Sequence, residues 1–330
     1  MSSECSVLLV GCGQVAGRYN TGPNDETVLT YALACHRSPS VRLVACVDPD
    51  EVVRREFTAT WQVPHAYESL SSALDADTYD IAVVASPTPT HATVLEGLLA
   101  SPVTAVIGEK PLGGQTERAR SLVDAFDKAG KPLAVAFVRR WDPAMVALKQ
   151  EIASGNWGGL RTGVGFYGRG VVNNGSHMID LVHYLTGGSL SILAVTGRLD
   201  DGVQDDPTVD AVLAVNDEAS IHLAATDGRD YAFFELTLVF ERGVVVVEDS
   251  GFSIRRRPVV ESGRFPGARS VDAGEYEPAR YGEAFVAMME NVVETVAHGA
   301  PLAGDGRSAL EAITMADALR HRAAELESVA

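Results

Sequence analysis

Short apolar runs alternate with helix-like stretches through the first 135 residues of the chain. Buried parallel strands have this appearance, and the first run ends in a glycine turn. Strands are predicted at residues 6–10, 41–47, 81–85, 105–108 and 133–137, and helices at residues 27–36, 50–61, 70–74, 91–100 and 115–129. Strand–helix alternation with short links predicts a doubly wound parallel sheet of the Rossmann type.

The pattern changes after residue 136, where strands follow one another without helices between them. Strands are predicted at residues 160–167, 190–198, 209–215, 220–225, 231–241, 244–248 and 252–256, hairpin turns at 227–228 and 241–243, and helices at 143–154, 177–185, 281–298 and 306–325. Consecutive strands favour antiparallel pairing. The predicted fold class is therefore α/β, with a Rossmann domain at residues 1–136. An α+β domain with an open, mainly antiparallel sheet follows at residues 137–330, for substrate binding and oligomerisation.

The strand predicted at residues 231–241 is partly apolar on both faces. One face carries Phe234 and Leu236, and the other carries Tyr231 and Phe233 beside polar residues. A sheet with one solvated face needs less apolar surface than this. We therefore expect the second face to contact another copy of the chain, in a homodimer or homotetramer.

Composition narrows the possible partners. The 330 residues are 46% hydrophobic and 22% charged, as in ordinary globular proteins, and the formal net charge is -17. This charge repels nucleic acid and anionic lipid, although local N–H groups and cations can still bind a phosphorylated small molecule. The sequence lacks an apolar run of about 18 residues and a signal-peptide pattern. We expect a cytoplasmic protein with neither a nucleic-acid nor a membrane partner.

The four cysteines all lie within the first 46 residues. Their spacing fits neither a zinc site nor a CxxC redox pair, which favours reduced thiols in or near the core of a cytosolic protein. His177, Asp180 and His183 also do not match a familiar zinc motif. We therefore predict no bound metal.

A glycine-rich segment directly follows the first predicted strand. Gly11 permits a tight turn, Gly13 lets the main chain approach a pyrophosphate, and Ala16 is small enough for helix–strand packing. The following helix would direct its N-terminus at the phosphates. The pattern alone also fits a tight turn in any α/β protein. The predicted cofactor contacts in this segment are Gly11, Gly13, Gln14, Val15 and Ala16.

Asp48 adds a second indication of a dinucleotide site. It ends the second predicted strand, where a carboxylate can bond the adenosine ribose hydroxyls and repels a 2′-phosphate. Because Pro49, Asp50 and Glu51 follow it rather than a cation, NAD is favoured over NADP as the cofactor. Asp48 nevertheless lies 32 residues beyond Ala16, whereas the usual spacing is about 20.

The extra length falls at residues 19–24, which look like an insertion in or after the first turn. Two interpretations remain open, a lid over cofactor or substrate and a surface loop without a role. A second polar stretch, residues 200–206, is rich in aspartate and is interpreted as a solvated loop.

Three later segments carry candidate chemistry. Residues 86–91, Ser-Pro-Thr-Pro-Thr-His, end the third predicted strand and predict a rigid ligand-binding loop, with Thr90 also suited to cap the next helix. Lys110 follows the fourth strand, where a lysine can donate a hydrogen bond to a developing alkoxide. His177 lies further on, and an imidazole titrates in the range that suits removal of a hydroxyl proton.

In this order the segments resemble the glucose–fructose oxidoreductase/inositol dehydrogenase (Gfo/Idh/MocA) family, along nearly the whole chain. The resemblance implies hydride transfer between nicotinamide and a carbinol carbon of a sugar, polyol or nucleotide-sugar-like molecule. It places Lys110 beside the reacting oxygen, with Asn173 and His177 as the other catalytic candidates. By the same resemblance, further cofactor contacts are Ser86, Pro87, Thr88, His91, Glu109 and Lys110, and substrate contacts are Lys110, Arg140, Tyr167, Asn173, Asn174 and His177.

The chain departs from the family pattern at one catalytic position. The family usually carries Asp-x-Gly-x-His, whereas Asn173 stands at the position of the acid here. An amide cannot ionise or raise the basicity of a neighbouring histidine as a carboxylate does. We expect Asn173 to bind a substrate hydroxyl instead, and Asp180, at i+3 from His177, could orient the imidazole.

Three functions remain open at this point. The first is an NAD(P)-dependent oxidoreductase acting on a sugar-like substrate. The second is a non-catalytic dinucleotide sensor on the same fold, and the third is an NAD-dependent glycosidase that recycles its cofactor without net redox change. Retention of both Lys110 and His177 favours the enzyme, while Asn173 is the best argument for the sensor.

Overall fold

The computed structural model describes residues 4–113 and 115–326, and the chain forms two compact units. The first unit contains the residues up to Asp142 together with Tyr281–Leu310. The second contains Pro143–Arg280 and the chain from Glu311 onward. This division differs from the expected one, because a C-terminal segment belongs to the first unit. None of the helices in the described part of the chain is long and apolar enough to cross a membrane.

A six-stranded parallel sheet lies at the centre of the first unit. Its strands are β1 (Cys5–Val10), β2 (Val41–Val47), β3 (His65–Tyr67), β4 (Ile81–Val84), β5 (Ala105–Gly108) and β6 (Leu133–Val135). Up to Asp142 its helices are α1 (Tyr31–Arg37), α2 (Glu51–Trp61), α3 (Leu70–Ala76), α4 (His91–Leu99) and α5 (Thr116–Ala129). The strand order β3-β2-β1-β4-β5-β6 confirms the predicted doubly wound sheet.

Burial explains which strands of this sheet are recognisable in the sequence. Strand β4 is buried at every position, as expected for a parallel strand covered on both faces. Strand β3, which the apolar pattern missed, has three residues, and two of them are exposed. A short exposed strand presents no apolar run and depends on its pairing with β2.

The first helix begins later than predicted because the residues before it form an ordered loop. The buried side chain of Asn20 donates to the Asp25 carboxylate and the Thr27 carbonyl, and it accepts the N–H of Leu29. Thr30 then caps α1, which starts at Tyr31 rather than at residue 27. The insertion predicted at residues 19–24 is therefore a structured part of this loop.

The second unit is built on a nine-stranded sheet. Its strands are β7 (Leu160–Tyr167), β8 (Leu190–Leu199), β9 (Thr208–Val215), β10 (Ala219–Ala225), β11 (Glu235–Phe240), β12 (Gly243–Glu248), β13 (Ser253–Glu261), β14 (Arg269–Val271) and β15 (Glu275–Pro278). The remaining helices are α6 (Pro143–Ala153), α7 (Ser176–Thr186), α8 (Tyr281–His298, in the first unit) and α9 (Gly306–Leu326, divided between the two units).

The predicted open, mainly antiparallel sheet is confirmed. The strand order is β14-β13-β12-β11-β7-β10-β9-β8, with β15 beside β13, and within this sheet β7 and β10 pair in parallel. The hairpin turn predicted at residues 241–243 joins β11 to β12. The other predicted hairpin is wrong, since β7 lies between the strands that the turn at residues 227–228 connects. Turn residues signal a reversal of the chain but not which strands will pair.

Tyr167 lies in the core of the second unit. Its side chain is 0% exposed, and its hydroxyl donates to the Val209 carbonyl (2.8 Å) and accepts the Val209 N–H (2.9 Å). The expectation that Tyr167 contacts substrate is therefore corrected. A fully buried hydroxyl that is bonded on both sides ties β7 to β9 and has no open surface for a ligand.

Replacing Tyr167 by Phe should lower the free energy of unfolding by about 1–3 kcal/mol, because both bonds to Val209 are lost from a buried site. Denaturant unfolding measures this change. The matched control is Tyr276→Phe, which removes the same hydroxyl from a side chain that is 65% exposed. Equal stability of the two variants would contradict the core role.

Candidate functional site

The glycine-rich turn has the backbone that a close approach requires. Gly11 has φ +97°, and a Cβ there would lie 2.5 Å from the main-chain nitrogen of Ser86. A Cβ on Gly13 would instead meet no atom within 4 Å. Gly11 thus brings β1 against the loop after β4, while the main chain at Gly13 remains open, as contact with a pyrophosphate needs.

The helix expected after the glycine turn is replaced by a five-residue π-helical turn, Gln14–Arg18. A Cβ on Gly17 would lie 2.5 Å from side-chain atoms of both Phe57 and Trp61. The sequence interpretation assigned close helix packing to Ala16, which is indeed buried, but it missed Gly17. A larger residue at Gly17 would push this turn away from α2.

Asp48 lies beside the glycine turn, at the end of β2. Its Oδ2 accepts the N–H of Cys12 (2.9 Å), and its Oδ1 accepts the N–H of Asp50 (3.0 Å). The guanidinium of Arg54 donates to the Asp48 carbonyl oxygen at 2.6 Å. The sequence interpretation placed the acid but missed this cation, which reaches Asp48 from the first turn of α2.

The loop at residues 86–91 is rigid for reasons beyond its prolines. Thr90 bonds back to the Ser86 hydroxyl and the Pro87 carbonyl, both at 2.7 Å, so its side chain does not cap α4 as predicted. The buried ring of His91 lies 2.7 Å from the Ser86 carbonyl through Nε2 and 3.0 Å from the Pro111 carbonyl through Nδ1. His91 therefore links this loop to the segment that carries Lys110, and direct contact with a cofactor stays a prediction. The same holds for Pro87 and Thr88.

Glu109, immediately before Lys110, is held by a residue that the sequence interpretation missed. The Tyr31 hydroxyl donates to its Oε1 at 2.7 Å, and the Lys110 N–H donates to its Oε2 at 3.3 Å. Burial raises the pKa of Glu109, while the bond from Tyr31 and the charges of Lys110 and His91 oppose that rise. This environment fixes the carboxyl group in place and weakens its preference for the charged form.

Arg140 lies in a short helical turn, Val138–Trp141, at the end of the first unit's leading segment. Its side chain is buried, and its Nη1 donates to the Ala303 carbonyl at 3.3 Å. The neighbouring Arg139 guanidinium lies over the Tyr281 ring, 5.7 Å from its centroid. Substrate contact by Arg140 stays a prediction, and the structure places this residue against a loop of its own unit.

In the second unit, one π-helical turn, Gly170–Gly175, carries Asn173 and Asn174 and leads directly into α7. Asn173 is exposed and its amide donates to the Arg169 carbonyl at 3.1 Å, while the Asn174 amide donates to the Gly168 carbonyl at 3.0 Å. His177 follows in the first turn of α7 and is half-buried. The structure thus brings Asn173, Asn174 and His177 together. An aspartate at position 173 could not donate to the Arg169 carbonyl.

The aspartate-rich stretch is only in part the solvated loop that its composition predicted, since Asp200 and Asp205 are exposed but two other aspartates are not. Asp201 and Asp206 are only 4% and 8% exposed. Five consecutive main-chain N–H groups, at residues 169–173, donate to this stretch and the residues after it. Their acceptors are in turn the Asp201 carboxylate, the Thr208 hydroxyl (2.8 Å), the Pro207 carbonyl (3.0 Å) and the two oxygens of the Asp206 carboxylate (2.8 Å each). The carboxylates are buried because these peptide groups need acceptors.

Within residues 4–113 and 115–326, no group of three or more His, Cys, Asp or Glu side chains is placed to hold a metal ion. The absence of a metal from the function stays a prediction.

Cys12, Cys35 and Cys46 are buried free thiols, and Cys5 is half-buried. Burial raises the pKa of the Cys35 thiol to about 12, which makes it a poor nucleophile.

Comparison with known proteins shows which proteins the chain is similar to. Residues 5–137 match the model of an oxidoreductase family with an NAD-binding Rossmann fold, GFO_IDH_MocA. The inositol 2-dehydrogenase of Rubrobacter xylanophilus is 28% identical over 300 residues, which cover 86% of this chain and 83% of the relative. That of Rhizobium meliloti is 25% identical over 321 residues, which cover 91% and 94%.

The fold of the whole chain is also found among solved structures. A crystal structure of an oxidoreductase from Agrobacterium radiobacter, in complex with NAD+, L-tartaric acid and magnesium, superposes with a TM-score of 0.78. The match covers 98% of this chain and 97% of that one at 16% identity. The chain is therefore similar to oxidoreductases of the Gfo/Idh/MocA family, as the sequence resemblance implied.

Proposed function

We propose that the chain is an NAD-dependent oxidoreductase that transfers hydride between nicotinamide and a carbinol or keto carbon of a polyol or sugar-like substrate. The strongest support is the carboxylate of Asp48, which accepts the N–H of Cys12 next to the open main chain at Gly13, an arrangement suited to a dinucleotide. The relatives named inositol 2-dehydrogenase support the substrate class. Sugars and nucleotide sugars belong to the same chemical class of secondary alcohols.

Four residues carry the proposed chemistry. The glycine turn at Gly11 and Gly13, together with Asp48, would hold the dinucleotide, whose nicotinamide would supply the acceptor for the hydride. Lys110 donates a hydrogen bond to the reacting oxygen and stabilises negative charge there, and His177 takes the hydroxyl proton. Asn173 and Asn174 bind further hydroxyl groups and so orient the ring. In the reverse direction, His177 returns the proton to the oxygen of the keto substrate.

The sensor alternative depends on the loss of the acid at position 173. In the structure the Asn173 amide bonds the Arg169 carbonyl, which is a structural reason for an amide rather than an acid. The substitution is therefore compatible with an enzyme, and the oxidoreductase is the better proposal. Net reduction of NAD by a polyol would also exclude the glycosidase alternative, which recycles its cofactor.

We further propose a cytoplasmic homo-oligomer that forms through the sheet of the second unit. The outer face of β11 and the segment before it is partly apolar: Phe233 packs on Phe166 at 5.5 Å between ring centroids, and Tyr231 is exposed. Such a face is suited to a second copy of the chain. A monomer in sedimentation equilibrium would contradict this assembly.

Lys110→Ala and His177→Ala should each lower turnover by at least about a hundredfold, the usual scale of lost electrostatic or acid–base help. Turnover is measured as nicotinamide absorbance with a panel of polyols, free sugars, sugar phosphates and nucleotide sugars. Lys128→Ala is the control for loss of a cation, since Lys128 is exposed near the end of α5. Near-normal turnover in both site variants would contradict the assignment.

Asp48→Ala should lower the ratio of NAD affinity to NADP affinity by about tenfold, because charge-assisted bonds to the ribose hydroxyls are lost. Titration of each cofactor measures the ratio. In Asp48→Ala, Arg54 should become the contact for the 2′-phosphate of NADP. The double variant Asp48→Ala/Arg54→Ala should therefore lose any NADP affinity that Asp48→Ala gains. Arg55→Ala in the same background is the matched control, since Arg55 is exposed on the same helix. An unchanged ratio in Asp48→Ala would refute the ribose role.

A further inference from the structure

We infer that residues 201–208, the anchor loop, fix the position of the turn at residues 169–175, and that Asp206 is the positioning residue of this device. The role of the turn in hydride transfer rests on the proposed function. The anchoring itself rests on hydrogen bonds within the second unit, and it can be tested without turnover.

The anchor loop supplies the hydrogen-bond acceptors for the main-chain N–H groups at the start of the turn. The N–H groups of residues 169–173 point in succession at Asp201, Thr208, Pro207 and, twice, Asp206. A buried N–H without an acceptor costs about 1–3 kcal/mol. The bond from Gly170 is buried, whereas those from Arg169, Val172 and Asn173 are part-buried, so the cost of moving the turn is greatest at Gly170. The turn is therefore held in one position through its backbone.

Asp206 supplies two hydrogen-bond acceptors from one side chain, which this arrangement needs. One carboxylate oxygen accepts the N–H of Val172 and the other accepts the N–H of Asn173. Gly170 permits this approach, since it has φ +84° and a Cβ there would overlap the Asp206 carboxylate. An amide at position 206 could accept only one of the two N–H groups, because its nitrogen is a donor.

Keeping the buried Asp206 carboxylate ionised lowers the free energy of unfolding. This indicates that the carboxylate fixes the backbone geometry and does not serve stability alone. Asp201 lies close enough to Asp206 to disfavour its ionisation, and its own Oδ2 accepts the Thr208 hydroxyl at 2.9 Å. Burial raises the pKa of Asp206, whereas the two N–H bonds and the charge of Arg320 oppose the rise. A buried carboxylate that costs folding free energy can still specify one backbone arrangement.

Asp206 also bonds the position at which the family pattern usually has an acid. The position usually occupied by that acid is Asn173, whose main-chain N–H is bonded to the Asp206 carboxylate. The negative charge bonded to this position therefore comes from a residue 33 positions later in the chain. Because Asn173 and His177 lie on consecutive helical turns, a shift at the anchor would displace both candidates from the substrate.

The experiment compares Asp206→Asn with Asp205→Asn in the full-length protein. Both variants remove one negative charge, but Asp205 is exposed and has positive φ, a conformation that Asn also adopts readily. Hydrogen–deuterium exchange of a peptide that covers residues 169–175 reports on the anchor. The kcat with a polyol and the dissociation constant of NAD report on function.

We expect faster exchange at residues 169–175 in Asp206→Asn alone. We also expect a fall in kcat of at least about tenfold, the scale of a small misplacement of reacting groups, with the NAD dissociation constant unchanged within about twofold. Unchanged exchange would overturn the anchor, and faster exchange with normal kcat would overturn its positioning role. A wild-type chain that binds NAD but turns over no alcohol would contradict the proposed function. The exchange comparison would still show whether Asp206 anchors the turn.

If Asp206→Asn does not fold, Thr208→Val provides the second test. This change removes the acceptor for the Gly170 N–H and the donor to Asp201 but preserves the shape of the side chain. Faster exchange at residues 169–175 would again support the anchor, and unchanged exchange would overturn it.

Discussion

Five consecutive peptide N–H groups at residues 169–173 need acceptors, and the anchor loop supplies all of them. This requirement explains why Asp201 and Asp206 are buried and why the chain after β7 turns where it does. The turn leads directly into α7, so the position of His177 depends on the same bonds. The Tyr167 hydroxyl, bonded to Val209, ties the strand before the turn to the strand after the anchor loop. The geometry of the proposed substrate contacts in this turn and in α7 thus follows from the need of the main-chain N–H groups for hydrogen-bond acceptors.

The first unit uses a comparable principle at the carboxyl ends of its strands. Gly11 brings the main chain after β1 against Ser86, and His91 joins Ser86 to the Pro111 carbonyl. Tyr31 then fixes the Glu109 side chain from α1. The loops that would contact the nicotinamide are therefore held to one another by side chains that need not touch it. This arrangement keeps the Lys110 segment rigid before a ligand binds, which reduces the entropy lost on binding.

The sequence predicted those features whose physical cause is local. The apolar runs gave the buried strands, and Asp48 could be placed because an acid after a parallel strand lies at the ligand-binding edge. The anchor loop could not be found in this way, because its composition indicates solvent while its acceptors serve donors more than thirty positions earlier. Tyr167 failed as a substrate contact for a similar reason, since only pairing with β9 reveals where its hydroxyl is bonded. Resemblance to the family supplied the candidate site, whereas the partners that hold it, Tyr31 and Asp206, required the structure.

Direct hydride transfer is the central claim, and isotope transfer tests it most directly. The wild-type chain would be incubated with NAD and myo-inositol deuterated at its carbinol carbons, and the recovered reduced cofactor would be analysed by mass spectrometry. The account predicts one deuterium on the nicotinamide ring for each ketone formed, because hydride moves from carbon to cofactor without exchange with water. The same experiment with a deuterated sugar or nucleotide sugar covers the rest of the proposed substrate class. Reduced cofactor without deuterium, or bound NAD that stays oxidised with every member of the class, would contradict the account.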